Sequence, residues 1–272
     1  MRIKLTVLSA LVLLMLLAPA ASAQEGNGAV TVVHGVPDTT VDVWVNGEPT
    51  LEGFEPGTVT DPLDLPGGSY EVEIFAAGAD PESEDPVISG SADLEAGADV
   101  SLVAHLDADG NPTLGVFAND TSTLDAGDAR VTVRHTAAAP AVDVLANDDV
   151  LFPGVENGQE GTADVPAGTV EAAVALAGET DPVLGPADLD LGEGTNTIVY
   201  AIGSAEDDTL DLLVQTISGL HGAPDGVESG LGGLKAAEAQ RAALLPWAGL
   251  GAALLLGAAA TRRLAVARAR RR

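Results

Sequence analysis

Cysteine is absent from this chain of 272 residues. That excludes a disulfide framework, thiolate metal sites, a cysteine nucleophile and a lipid anchor on an N-terminal cysteine. Aromatic residues make up only 3% of the chain, so any core has to be built from aliphatic side chains. Positive charge is nearly missing from the middle of the sequence. Residues 24–234 hold 40 of the 41 acidic residues but only Arg130 and Arg134 of the 12 basic ones, a net charge of −38. Such a surface repels phosphate backbones, which excludes nucleic acid as a partner. Two readings of the acidity stay open: adaptation to salty surroundings, where counterions screen self-repulsion, or a solubility device on a surface protein.

What is plentiful is glycine, with 32 residues, and proline, with 16, among Val, Ala and Leu. That mixture suits many short strands joined by tight turns. The two ends differ. Arg2 and Lys4 precede an apolar run from Leu5 to Leu17, and Ala21-Ser22-Ala23 offers a small-x-small cleavage site. Residues 1–23 therefore read as a secretory signal peptide, with a mature chain starting at Gln24. Residues 242–261 are a second apolar stretch, long enough as a helix to span a hydrocarbon core of about 30 Å. Arg262, Arg263, Arg268, Arg270, Arg271 and Arg272 follow it. This tail, 262–272, places the C-terminus in the cytoplasm and the N-terminal part outside. A sorting signal is the alternative, but no L-P-x-T-G precedes the segment, so an intact single-pass anchor is expected.

Between the ends the sequence repeats itself. Val30-Thr31-Val32 and His34 match Val131-Thr132-Val133 and His135, and Val41-Asp42-Val43 and Asn46 match Val142-Asp143-Val144 and Asn147, at an offset of 101. Asp64, Pro66, Gly68 and Glu71 match Asp164, Pro166, Gly168 and Glu171 at 100, and Ala92-Asp93-Leu94 matches Ala187-Asp188-Leu189 at 95. Within each copy apolar residues alternate with polar ones, as in Val41, Val43 and Val45, a period that gives a sheet one buried and one wet face. Asn46-Gly47, Pro66-Gly67-Gly68 and Asp109-Gly110 read as turns. The expected fold is all-β: two tandem antiparallel β-sandwiches of about seven strands each, immunoglobulin-like or transthyretin-like. The repeats occupy residues 24–128 and 129–220, and a linker at 221–241 leads to the membrane helix.

The stretch from Val33 to Gly47, Val-His-Gly-Val-Pro-Asp-Thr-Thr-Val-Asp-Val-Trp-Val-Asn-Gly, resembles the opening of a bacterial domain-of-unknown-function family. That family, mainly actinobacterial, occurs as tandem repeats in exported proteins. Leu65-Pro66-Gly67-Gly68-Ser69-Tyr70 and Val165-Pro166-Ala167-Gly168-Thr169 resemble its P-x-G-x-Y motif. The resemblance covers residues 29–220 and implies a sandwich fold and a surface location. It brings no catalytic residues with it.

Candidate chemistry is sparse. His34 and His135 occupy equivalent positions without paired metal-ligand spacing, and read as strand-end histidines bonding a loop backbone rather than as ligands. Asp107, Asp109 and Asn111 resemble half of a calcium loop, yet Gly110 comes too early for an EF-hand, and the same residues make a hairpin turn. Glu206-Asp207-Asp208 is the matching acidic loop of the second copy. Glu71 and Glu73 alternate along a strand in the manner of a solvated face. Asn119-Asp120-Thr121 is a glycosylation sequon read as a chance occurrence. No G-x-S-x-G elbow or phosphate loop is present.

No catalytic, cofactor-binding or metal-ligating residue is assigned, no cofactor is expected, and an enzyme is not expected. The expected function is that of a non-enzymatic cell-surface module: a spacer, an adhesion element or a ligand-binding ectodomain. The alternative is a surface hydrolase or calcium-dependent binding protein without a recognisable motif. The expected partner is the membrane, through the C-terminal helix, with a cell-envelope polymer or surface protein as a further candidate. The chain is expected to be a monomer.

Overall fold

The computed structural model describes residues 26–222, and every described element is a β-strand. The first eight are β1 (Asn27–His34), β2 (Val41–Val45), β3 (Glu48–Phe54), β4 (Leu63–Pro66), β5 (Gly68–Ala76), β6 (Ile88–Leu94), β7 (Asp99–Leu106) and β8 (Pro112–Ala118). The second eight are β9 (Asp128–His135), β10 (Val142–Ala146), β11 (Asp149–Val155), β12 (Glu160–Pro166), β13 (Gly168–Leu176), β14 (Pro182–Leu191), β15 (Thr195–Ile202) and β16 (Asp211–Ser218). Among the described residues no helix is long and apolar enough to cross a membrane. The segments at 1–23 and 242–272, and most of the linker, lie outside the described residues.

Each set of eight forms two four-stranded sheets with the same order. The first set gives β4-β1-β7-β8 and β3-β2-β5-β6, and the second gives β12-β9-β15-β16 and β11-β10-β13-β14. Alternation decides what each sheet buries. Val30 and Val32 of β1 meet Val43 of β2 and Val72 and Ile74 of β5 in one core, and Val131, Val133, Val144 and Val174 hold the same places in the other. The described residues thus hold both cores and all the strand pairings of both sandwiches, so they have what is needed to fold as a unit.

The architecture departs from the sequence reading in four respects. Each sandwich has eight strands. The sheets are mixed, because β1 pairs with β7, and β9 with β15, in parallel. Parallel neighbours need a long connection, and the intervening strands β2–β6 and β10–β14 supply it. Period-two alternation is the same in either direction, so the sequence pattern is blind to this. Pro66-Gly67-Gly68 joins strands of different sheets, so it crosses between layers instead of closing a hairpin. Finally, Gly68 lies opposite Leu94 while Gly168 lies opposite Leu191, an offset of 97 where the sequence match suggests 95. A two-residue slip keeps every side chain on its face, which is why residue matching does not detect it.

The two sandwiches pack face to face. The outer faces of β1, β7 and β8 meet those of β9, β15 and β16 around Val33, Val103, Phe117, Ile198, Tyr200 and Ile202.

Candidate functional site

The polar residues of the repeated motif are committed to the fold. Asp42 accepts the N–H groups of Gly53 at 2.6 Å and Gly78 at 2.8 Å, tying the end of β3 and the turn after β5 to the start of β2. Asp143 does the same with Gly154 at 2.7 Å and Gly178 at 2.9 Å, and these bonds hold its carboxyl below the usual range. Asn46 and Asn147 open their turns at positive φ, and their side-chain oxygens accept from the backbone of Glu71 and Glu171. His34 donates Nε2–H to the Thr39 carbonyl at 2.8 Å, and His135 donates to Pro140 at 2.9 Å. Burial lowers the pKa of both rings, so they are neutral at pH 7.

The remaining sequence candidates resolve in the same way. Asp107 turns inward on its own loop, accepting from the backbone N–H groups of Asp109 and Asn111 at 2.9 and 2.8 Å. That is the hairpin between β7 and β8. Asn119 of the sequon is buried and bonded to Asp99, Ser101 and Arg134, so it presents no glycosylation acceptor. A cavity of about 360 Å³ brings His135 and Glu206 to one wall. Its histidine has Nε2 on Pro140 and Nδ1 accepting from Ala137, which leaves neither nitrogen to act as a base.

In the sequence Arg130 and Arg134 register only as charge. Four residues apart on β9, they point to the same face, toward the first sandwich. Arg130 forks onto Asp164 at 2.7 and 3.0 Å and reaches Asp120 at 2.9 Å. Arg134, only 1% exposed, bonds Glu160 at 2.7 Å, Tyr200 at 2.9 Å and Asn119 at 2.9 Å, with its guanidinium over the Phe117 ring. Tyr200 passes its own hydrogen to Gln215, and Gln215 also bonds Ser101 and Thr31. This network crosses the contact between sandwiches with its buried donors and acceptors satisfied. It is a fastening.

What remains is a difference between the two cores. The interior of the second sandwich holds a cavity of about 610 Å³, whereas the same region of the first holds about 40 Å³. Protein interiors rarely tolerate voids larger than a water molecule, so the large cavity departs from ordinary packing. The register shows its origin. Val45 and Val72 pair in the first sandwich; Ala146 and Ala172 pair in the second. Leu63, opposite Val30, becomes Ala163, opposite Val131. Tyr70 becomes Val170 at the equivalent point of the strand. In the first sandwich the Tyr70 hydroxyl donates to the Pro66 carbonyl at 2.6 Å, which fixes its ring at the end of the core. Val170 has no group that could make this closure.

The side edge differs too. In the first sandwich β6 lies against β8, and a Cβ on Gly90 would come within 2.9 Å of Leu114. The register places Ala187 where the first copy has Gly90, opposite Ala172. The added methyl stands where this close contact would form. Leu189, opposite Val170, is half-buried where Ala92, opposite Tyr70, is buried, while Val214 on β16 and its first-copy equivalent Val116 are both exposed. The cavity is reached between apolar walls, with Asn147, Gly168 and Thr169 at one end.

Residues 28–145 match the model of a family described as Domain of unknown function (DUF4397). The DUF4397 match spans the first sandwich and ends in β10, so it takes in Val131, Val133, Val144 and Leu145 of the cavity lining but not β13. No curated protein matches this chain. Among solved structures, the Bacillus anthracis TIE protein is similar at 11% identity and a TM-score of 0.20, over 65% of this chain and 33% of that one. The chain thus spans about a third of that protein's length, and a superposition at this level supports no inference about function.

Proposed function

We propose that this chain is a non-enzymatic, exported surface protein whose second sandwich binds a small apolar molecule, while the first serves as its closed structural partner. The observation that carries the reading is the cavity of about 610 Å³ at a position the first copy fills. Its size falls within the roughly 300–1,000 Å³ typical of small-molecule sites. Large-to-small replacement in a core costs stability, so three such changes lining one space, at Ala146, Val170 and Ala172, favour a use for that space. Its walls are aliphatic, and the polar motif residues are spent on loops, which favours binding over catalysis.

The location proposed with it rests on the sequence: a signal peptide at 1–23, a single-pass helix at 242–261 with the arginine tail inside, and the two sandwiches outside. A fold of the immunoglobulin-like or transthyretin-like kind, with its parallel strand pair as a variation, belongs to the same proposal.

The test uses residues 24–224 and the uncharged probe N-phenyl-1-naphthylamine, which fluoresces in apolar surroundings. The wild type should bind it saturably with one site. Val170→Tyr, which restores the closing ring of the first copy, should abolish that site. Equal binding by both proteins would contradict the proposal.

A further inference from the structure

We infer that the cavity of the second sandwich selects an uncharged molecule with an extended apolar body, and excludes amphiphiles carrying a carboxylate or other anionic head. The inference rests on the proposal that this cavity is a binding site, and it concerns what that site takes.

An anionic head group buried near an apolar wall needs a positive partner or several aimed donors. Among residues 26–222 the only lysines or arginines are Arg130 and Arg134. Strand alternation sends them away from the cavity. Val131 and Val133 of β9 face it, whereas Arg130 and Arg134 lie on the opposite face and are held by Asp120, Asp164 and Glu160. The histidine closest to this core, His135, is buried and occupied by Pro140. The mouth therefore has no cation to offer, and the −38 charge of residues 24–234 sets a repulsive field around it.

A neutral polar group is present instead. The Asn147 side-chain oxygen accepts from Glu171, which leaves its NH2 as a donor at this end of the cavity. It suits a hydroxyl or ester oxygen. A cationic head gains nothing specific inside either. Asp188 is the one acidic residue along the cavity lining; on β14 it alternates with Ala187 and Leu189, which share the core face, so its carboxylate is carried on the opposite, exposed face. Length is indicated by Val174, which lines both this cavity and the smaller one of about 360 Å³ near His135. An apolar chain entering by Asn147 and Thr169 runs along β13 toward that shared wall.

The experiment displaces N-phenyl-1-naphthylamine from residues 24–224 with three twelve-carbon compounds at pH 8: 1-dodecanol, dodecanoate and dodecylammonium. For each, only the displacement lost in Val170→Tyr is counted, which removes surface adsorption. At low salt dodecanol should be the tightest and dodecanoate about tenfold weaker or more, which corresponds to roughly 1.4 kcal/mol. At 1 M salt, where the screening length falls to ~3 Å, the gap between them should narrow. Dodecanoate matching dodecanol at low salt, or dodecylammonium exceeding it, would overturn the inference while leaving a cavity that binds. Failure of the probe itself to bind in a Val170→Tyr-sensitive way would instead remove the cavity as a site, and the inference with it.

Discussion

Tyr70 and Val170 stand at the same point of equivalent strands, two residues beyond Gly68 and Gly168, and only the tyrosine reaches back to a carbonyl, that of Pro66 at 2.6 Å. This change is one of several that separate a sealed sandwich from an open one, with Ala146 and Ala172 standing where the first copy has Val45 and Val72. Gene duplication commonly leaves one copy free to change while its twin keeps the fold. Here the closed copy also fixes the position of the other, through Arg134 and Tyr200.

Restoring the plug should strengthen the protein. Val170→Tyr combined with Ala172→Val returns two first-copy side chains to the second core. Cavity filling of this kind typically adds about 0.5–2 kcal/mol. In urea unfolding of residues 24–224 the midpoint should rise with an unchanged slope. A fall would mean that the second core has no space for these groups, contrary to the geometry.

Arg134 is expected to couple the sandwiches. Arg134→Ala takes one hydrogen-bond partner each from Tyr200 and Asn119 and removes the guanidinium over Phe117. Glu160, whose side chain is 36% exposed, can rehydrate, so the cost should stay below the 3–5 kcal/mol of a fully buried pair, at about 2 kcal/mol. The expected signature is one cooperative unfolding transition in the wild type and two in the variant. Arg134→Met keeps most of the packing and should lose less. A variant that unfolds like the wild type would show that the network does not join the two halves.

Acid should weaken the fold well before the carboxylates titrate. His34, His105 and His135 all have pKa values lowered from 6.5, chiefly by desolvation. In the unfolded chain they protonate near 6.5, while the folded state resists, so the unfolded state binds more protons in that window. The stability they contribute is complete above pH 6.5 and is lost as pH falls from there toward their folded values. For His34 the reason is plain: Nδ1 is buried with no hydrogen-bond partner, and a proton there would have no acceptor. The melting temperature should drop between pH 7.5 and pH 5.5. A flat profile over that range would contradict the burial of these rings.

Much of this fold can be read from residues, and the parts that cannot have physical reasons. Duplication shows in Val41-Asp42-Val43 against Val142-Asp143-Val144, and the Asn46-Gly47 hairpin follows from turn chemistry. Strand direction does not show, because Val30 and Val32 alternate identically whether β7 runs up or down beside them. The loss of tyrosine from P-x-G-x-Y in the second copy is visible as Val170. Its meaning is not, since nothing local says that Tyr70 closes a core. Arg130 and Arg134 stood out as lone cations, and their four-residue spacing already put them on one face of a strand. What that face touches required the packing of two sheets that are far apart in sequence.

The central claim is a site inside one sandwich and not the other, so the most direct measurement locates the ligand. Methyl-labelled valines of residues 24–224 can be followed by NMR while 1-dodecanol is added. Saturable shifts should appear at Val131, Val133, Val170, Val174 and Val199, which line the large cavity, with Val30, Val32, Val43 and Val72 of the first core unmoved. Shifts shared by both cores, or confined to exposed valines such as Val87 and Val150, would contradict it.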